Sequence, residues 1–125
     1  MKRNIIEITE HGTVIIPDRD IWMSEAELVS LFEDIAPTVR ATIRAVYKSG
    51  ILKEHEAQRY IRLSDKVGMD VYSLEMVTAL AFRINTYGAE RVRNAILERL
   101  HLRKENIIVH FSLGINRMGT SNYQA

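Results

Sequence analysis

From Ser24 to Leu52 the hydrophobic positions repeat twice at helical spacing, with a short break between the repeats. In the first repeat Leu28, Leu31 and Phe32 fall on one side of a helix. Ser24 followed by Glu27 is a capping box, which satisfies two backbone N–H groups that a helix start leaves without partners. In the second repeat Val39, Ile43, Val46 and Tyr47 fall within an arc of about 100° when each residue turns the helix by about 100°. Pro37 suits the first turn of that helix, where its missing N–H costs nothing, and Gly50 suits the position just past its end. The pattern predicts two short helices joined by a tight turn.

Elsewhere the period changes. Residues 5–8 and 13–16 alternate apolar and polar positions around Glu10, His11 and Gly12, which predicts an N-terminal β-hairpin. Pro17 to Asp20 form a connection, and Trp22 reads as a lid on the core just before the first helix cap. Residues 58–63 and 69–72 read as two strands, with turn chemistry at Ser64, Asp65, Lys66 and Gly68 between them. Ser73 caps a helix from Leu74 to about Ile84, with Met76, Val77, Leu80, Ala81 and Ile84 as its buried stripe. A break at residues 85–88 precedes a last helix from Ala89 to about Leu102. Its arginines, Arg91, Arg93 and Arg99, interleave with Glu90, Asn94 and Glu98 and read mostly as solvated surface. Ile107, Val109, Phe111 and Leu113 alternate with Ile108, His110 and Ser112, which predicts a half-buried strand. That strand would join the N-terminal hairpin or pair with a second copy of the chain.

The second helix also has an outer face. Arg40, Arg44 and Lys48 recur every four residues and so form one basic line beside the apolar stripe. Ala41 and Ala45 lie next to the line, with Thr38 close by, so this face is basic and small-sided. Small side chains let a backbone approach a groove, and Arg or Lys reach phosphates and guanine edges. A basic line on a helix is ordinarily a solvated face of mixed sign. Here no acid lies between Pro37 and Lys53, which favours nucleic acid. Helix, turn and basic helix make a helix-turn-helix, and the following hairpin reads as a wing with Lys66 at its tip.

Composition narrows the partners. A chain of 125 residues is large enough for one domain with its own core. There is no cysteine, so disulfides and thiolate metal sites are excluded. No apolar run approaches the roughly 20 residues that span a membrane, and acids interrupt the start of the chain too early for a signal peptide. A cytoplasmic location is the expectation. The formal net charge is only +1, so a DNA-binding surface requires the positive charge to be gathered on one face. Glu25, Glu27, Glu33 and Asp34, on and just after the first helix, would then sit away from it.

Three runs together, Trp22–Phe32, Thr38–Leu52 and Val71–Asn85, resemble the N-terminal domain of the RhuM family of bacterial virulence-associated proteins. Trp22, Ser24, Leu28, Leu31 and Phe32 fit the family's first helix pattern. Thr38, Val39, Ile43, Val46, Gly50 and Leu52 fit the second, and Tyr72, Leu74, Val77, Arg83, Ile84 and Asn85 the third. The resemblance spans residues 12–97 and implies a winged helix-turn-helix-like fold with a role in DNA binding or regulation. Gly88 comes earlier than in the family pattern, and Val92 and Ala95 stand where the family has aromatic residues. No Fic-type His-Pro-Phe-x-x-Gly-Asn motif is present, so the resemblance implies no activity of such a domain.

Catalytic signatures are missing from the sequence. His11, His55, His101 and His110 lie far apart, without an H-x-x-x-H spacing, and there is no phosphate loop or G-x-S-x-G nucleophile. The expectation is therefore a non-enzymatic α+β protein without cofactor, metal or small-molecule ligand. Its fold class is a winged helix-turn-helix-like domain over residues 1–113, with an N-terminal hairpin, a β wing and a C-terminal strand, followed by a tail over 114–125. The expected function is that of a homodimeric regulator of transcription or of a mobile element that binds double-stranded DNA, at specific sequences or generally. Thr38, Arg40, Ala41, Arg44 and Lys48 would enter the major groove, with Lys66 on the wing. The alternative is a protein-interaction module of the same fold that does not touch DNA.

Overall fold

Glu7 pairs with Ile15 and Ile8 with Val14, closing the N-terminal hairpin of β1 (Glu7–Ile8) and β2 (Val14–Ile15). The computed structural model in which they do so describes the backbone of residues 3–115 and the side chains of residues 3–101. The hairpin is closed by Thr9, whose N–H donates to Thr13 O and whose carbonyl accepts from Gly12 N–H, both at 2.8 Å. A two-stranded hairpin is marginal alone. Here the Arg91 guanidinium donates to Gly12 O, and Ile6 just before β1 is buried.

The second sheet is built from β3 (Trp22–Ser24), β4 (Gln58–Arg62) and β5 (Gly68–Ser73). It is antiparallel, in the order β3-β5-β4, so β5 is central. Trp22 pairs with Ser73, while Arg59 and Ser24 flank Val71 on either side. Asn4 forms an isolated bridge to Ile21 beside β3. Trp22 itself is only half-buried: Arg59 reaches across β5 and sets its guanidinium 4.1 Å from the centroid of the Trp22 ring. The expected core lid is thus a strand residue under a cation.

Five helices are formed among the described residues: α1 (Glu25–Phe32), α2 (Ala36–Ser49), α3 (Glu54–Ala57), α4 (Leu74–Ala81) and α5 (Tyr87–Ile115). The chain is a mixed α+β protein with these helices and the two small sheets. The one-turn helix α3 falls in a polar stretch that carried no apolar period. Contacts divide the chain into two compact units, Met1–Ala95 and Ile96–Ala125. In the first unit α1 packs on α2, α2 on α4, and α4 on β5. Phe32, Val39, Val46, Met76, Val77 and Leu80 are fully buried there. Fully burying each such side chain contributes about 1.5–3 kcal/mol. Leu28, Leu31, Ile43, Ala81 and Ile84 are also buried, as the helical stripes require.

The expected C-terminal strand is overturned. Residues 107–113 are helical backbone inside α5, so there is no C-terminal strand over them, and β1–β2 remains a two-stranded sheet. A short apolar run cannot be assigned to strand or helix by alternation alone. A helix already nucleated at Tyr87 extends at little cost, and no proline interrupts it. Of the expected tail, Gly114 and Ile115 close this helix, and 116–125 lie outside the described residues. Of the α5 arginines, Arg99 is exposed as expected, whereas Arg91 and Arg93 are half-buried. Arg93 donates to Ala81 O, at the end of α4, at 2.8 Å and to Ile84 O, in the loop beyond it, at 2.9 Å. Arg91, besides holding Gly12, donates to Tyr87 Oη and lies over its ring. The side chain of His110 lies outside those described.

Candidate nucleic-acid interface

The turn between α1 and α2 is three residues long, Glu33–Ile35. Ser24 and Glu27 form the capping box at the start of α1, with Ser24 N donating to Glu27 Oε1 at 2.8 Å and Glu27 N to Ser24 Oγ at 3.3 Å. Arg3 adds a fork to the same carboxylate, at 2.5 and 2.8 Å. Burial pushes the Glu27 carboxyl up, but the Arg3 guanidinium and the Ser24 donors outweigh it and hold the group below its usual range. α1 ends at Glu33, whose backbone is left-handed at φ 53°, and Asp34 N then donates back to Val29 O. The Asp34 carboxylate accepts from Ile35 N at 2.8 Å. Ile35 carries no side-chain cap, and α2 starts on Thr38 and Val39 N–H groups that donate to Ile35 O at 3.1 Å.

α2 is anchored on one side by its buried stripe, Val39, Ile43 and Val46. Its last turn is anchored by Tyr47, whose hydroxyl donates to Gln58 Oε1 on β4 at 2.8 Å. Burial, with Tyr72, Glu54 and Asp70 nearby, pushes this phenol up to about 12. Gly50 ends the helix at φ 83°, where a side chain would be strained. With the inner face and the C-terminal end fixed in this way, the outer face is set. Thr38, Arg40, Ala41, Arg44, Ala45 and Lys48 are all exposed on it.

The structure therefore brings five of the six sequence-derived residues, Thr38, Arg40, Ala41, Arg44 and Lys48, onto one accessible face of one helix. The sixth, Lys66, is exposed on a separate element, the Ser64–Val67 turn that closes the β4–β5 hairpin. That turn is held by Leu63 N and Ser64 N donating to Val67 O, and none of its backbone bonds involves α2.

One acid is not where the sequence placed it. Glu25, expected away from the basic line, meets it: Glu25 Oε2 accepts from Arg40 Nε at 2.9 Å. The pair remains open to solvent, with the Arg40 side chain 52% and the Glu25 side chain 34% exposed. Fifteen residues separate them, and only the packing of α1 on α2 brings them together, so no local spacing signals the contact. Arg44 and Lys48 have no side-chain hydrogen bond or ion pair among the described residues.

Among the described residues no group of three or more His, Cys, Asp or Glu is placed to hold a metal ion, and no helix is long and apolar enough to cross a membrane. No protein-family model, curated protein or solved structure matches the chain.

Proposed function

We propose that this chain binds double-stranded DNA through the outer face of α2, as a regulator of transcription or of a mobile element. The observation that carries the reading is the division of α2. Val39, Ile43 and Val46 face the core, while Arg40, Arg44 and Lys48 stay exposed, with the small side chains of Thr38, Ala41 and Ala45 along the same face. A helix of this kind can lie in the major groove, which admits a helix and offers phosphates on both rims. The order β3, α1, α2, α3, β4, β5 supports a winged helix-turn-helix reading, since after the one-turn α3 a hairpin follows the helix pair and can bring Lys66 to the backbone or the minor groove. The resemblance to the N-terminal domain of the RhuM family points the same way. In a homodimer the two α2 helices would stand about 34 Å apart to meet successive major grooves.

A fluorescence-anisotropy titration with mixed-sequence duplex DNA at two salt concentrations tests the reading. The expected result is binding that weakens as salt rises, because neutralised phosphates release counterions. No binding at low salt would overturn it. A second reading, a protein-interaction module of the same fold, draws on one observation: the Glu25 carboxylate on Arg40 lowers the positive potential of α2. That reading requires α2 to be covered in a homodimer or complex.

A further inference from the structure

We infer that Glu25 is a positioning residue that gives Arg40 the task of reading a guanine, and that sequence selectivity rests on this pair. The inference rests on the DNA-binding reading above and goes further, dividing the basic line into one base-reading and two phosphate-binding residues.

The geometry of the bond carries the argument. Glu25 accepts from Nε, the inner nitrogen of the guanidinium, at 2.9 Å. The fork formed by the two terminal nitrogens is outside that bond. An arginine fork recognises guanine by donating to O6 and N7 together, and its planar shape makes that contact demanding in angle. A long side chain already held at Nε has less freedom left to lose when the fork docks. Glu25 is itself well placed to act as a fixed post. It is the first residue of α1, directly after the N-cap Ser24 and inside the Ser24–Glu27 capping box that pins the start of that helix. Ser24 is buried and paired with Val71 in the sheet. The post therefore stands on a helix start tied to the three-stranded sheet, while the arginine it holds is on the exposed face of α2.

Arg44 and Lys48, one and two turns further on, have no such hold among the described residues. Free cations on flexible stems suit phosphates, which need charge and tolerate many geometries. The small side chains that flank the line, Ala41 and Ala45, leave room for the fork to approach a base edge.

The experiment compares two probes, a random-sequence duplex enriched by rounds of selection on the wild-type protein and the same duplex made with 7-deazaguanine, which lacks the N7 acceptor. The wild type should lose about fivefold to a hundredfold in affinity on the deaza duplex, the range of one good bidentate contact. Glu25→Ala should lose most of that discrimination while binding mixed-sequence duplex as well as the wild type or better, since a negative charge is gone. Glu25→Gln should keep part of the discrimination, because its amide oxygen still accepts from Nε. Arg40→Lys should abolish it, and Glu25→Ala should add nothing to Arg40→Lys. Circular dichroism and thermal melting of each variant check that the overall fold is kept. If Glu25→Ala and Glu25→Gln raise affinity for both probes alike and leave their ratio unchanged, Glu25 is only a neutralising charge and the inference is overturned. Salt-dependent binding with no guanine dependence in the wild type overturns it too and leaves the DNA-binding reading standing. Absence of any wild-type binding removes both.

Discussion

Gly88 lies against Leu31 so closely that a β-carbon at position 88 would stand 2.5 Å from the Leu31 carbonyl oxygen. The same carbon would be 2.9 Å from the backbone carbon of Phe32. The start of α5 is therefore seated on the last turn of α1, backbone to backbone. Thr86 secures the contact: its hydroxyl donates to Phe32 O at 2.5 Å and accepts from Ala89 N at 3.1 Å. Gly88→Ala has no flexible side chain to push aside, so the helix must shift. The expected cost is about 1–3 kcal/mol, as for an overpacked core. Urea denaturation followed by circular dichroism measures it, and an unchanged midpoint would mean that the two backbones are free to separate.

Glu27 links stability to acid pH. Its folded-state pKa is held below the ordinary 4.5, after the Arg3 and Ser24 donors overcome the effect of burial. A depressed carboxyl contributes stability that is present above its unfolded pKa and lost as pH falls through the folded value. The stabilising difference between wild type and Glu27→Gln should thus be full at neutral pH and shrink once pH drops below about 4.5. Arg3→Ala should bring the Glu27 titration back up, which carboxyl-carbon NMR reads directly. A difference that stays constant with pH would mean that folding does not depress the Glu27 carboxyl, and an unmoved titration in Arg3→Ala would remove Arg3 from the cap.

Glu33 ends α1 in the left-handed region at φ 53°, and among the described residues no other non-glycine residue has a positive φ. A side chain there costs about 1–2 kcal/mol, part of which glycine gives back through its freer unfolded chain. Glu33→Gly should raise stability by roughly 0.5–1 kcal/mol. Thermal denaturation checks the sign. A loss of stability would show that the Glu33 side chain makes contacts worth more than the strain.

Arg44 tests the division of labour along α2. As a phosphate contact, its replacement by Ala should weaken binding evenly across duplex sequences and reduce the salt slope by about one. As a base contact, it would instead cost about 1–3 kcal/mol at one position of the site. Anisotropy titrations over a salt series separate these outcomes, and unchanged binding would take Arg44 out of the interface.

What the sequence shows well is what neighbours decide. Ser24 and Glu27 sit three residues apart, and Val39, Ile43 and Val46 share a face by helical geometry, so cap and stripe were both legible. The exposed line Arg40, Arg44, Lys48 followed from the same geometry. Contacts between elements were not legible. Glu25 with Arg40, Arg91 with Gly12 and Thr86 with Phe32 are joined by packing across 15, 79 and 54 residues. Trp22 carries a strand's pairing with Ser73 that three residues cannot announce. The segment 107–113 misleads for a physical reason: its alternation fits a strand, but the helix begun at Tyr87 continues through it.

Trp22 is the only tryptophan of the chain, and a guanidinium rests on its ring. The protein therefore carries one indole fluorophore, with a charge poised to shift its emission. Because the charge belongs to Arg59 on the hairpin strand β4 and the indole to β3, the colour of that emission reports the alignment of the two outer strands across the central one. A ligand that draws Arg59 away would announce itself in the spectrum without any added label.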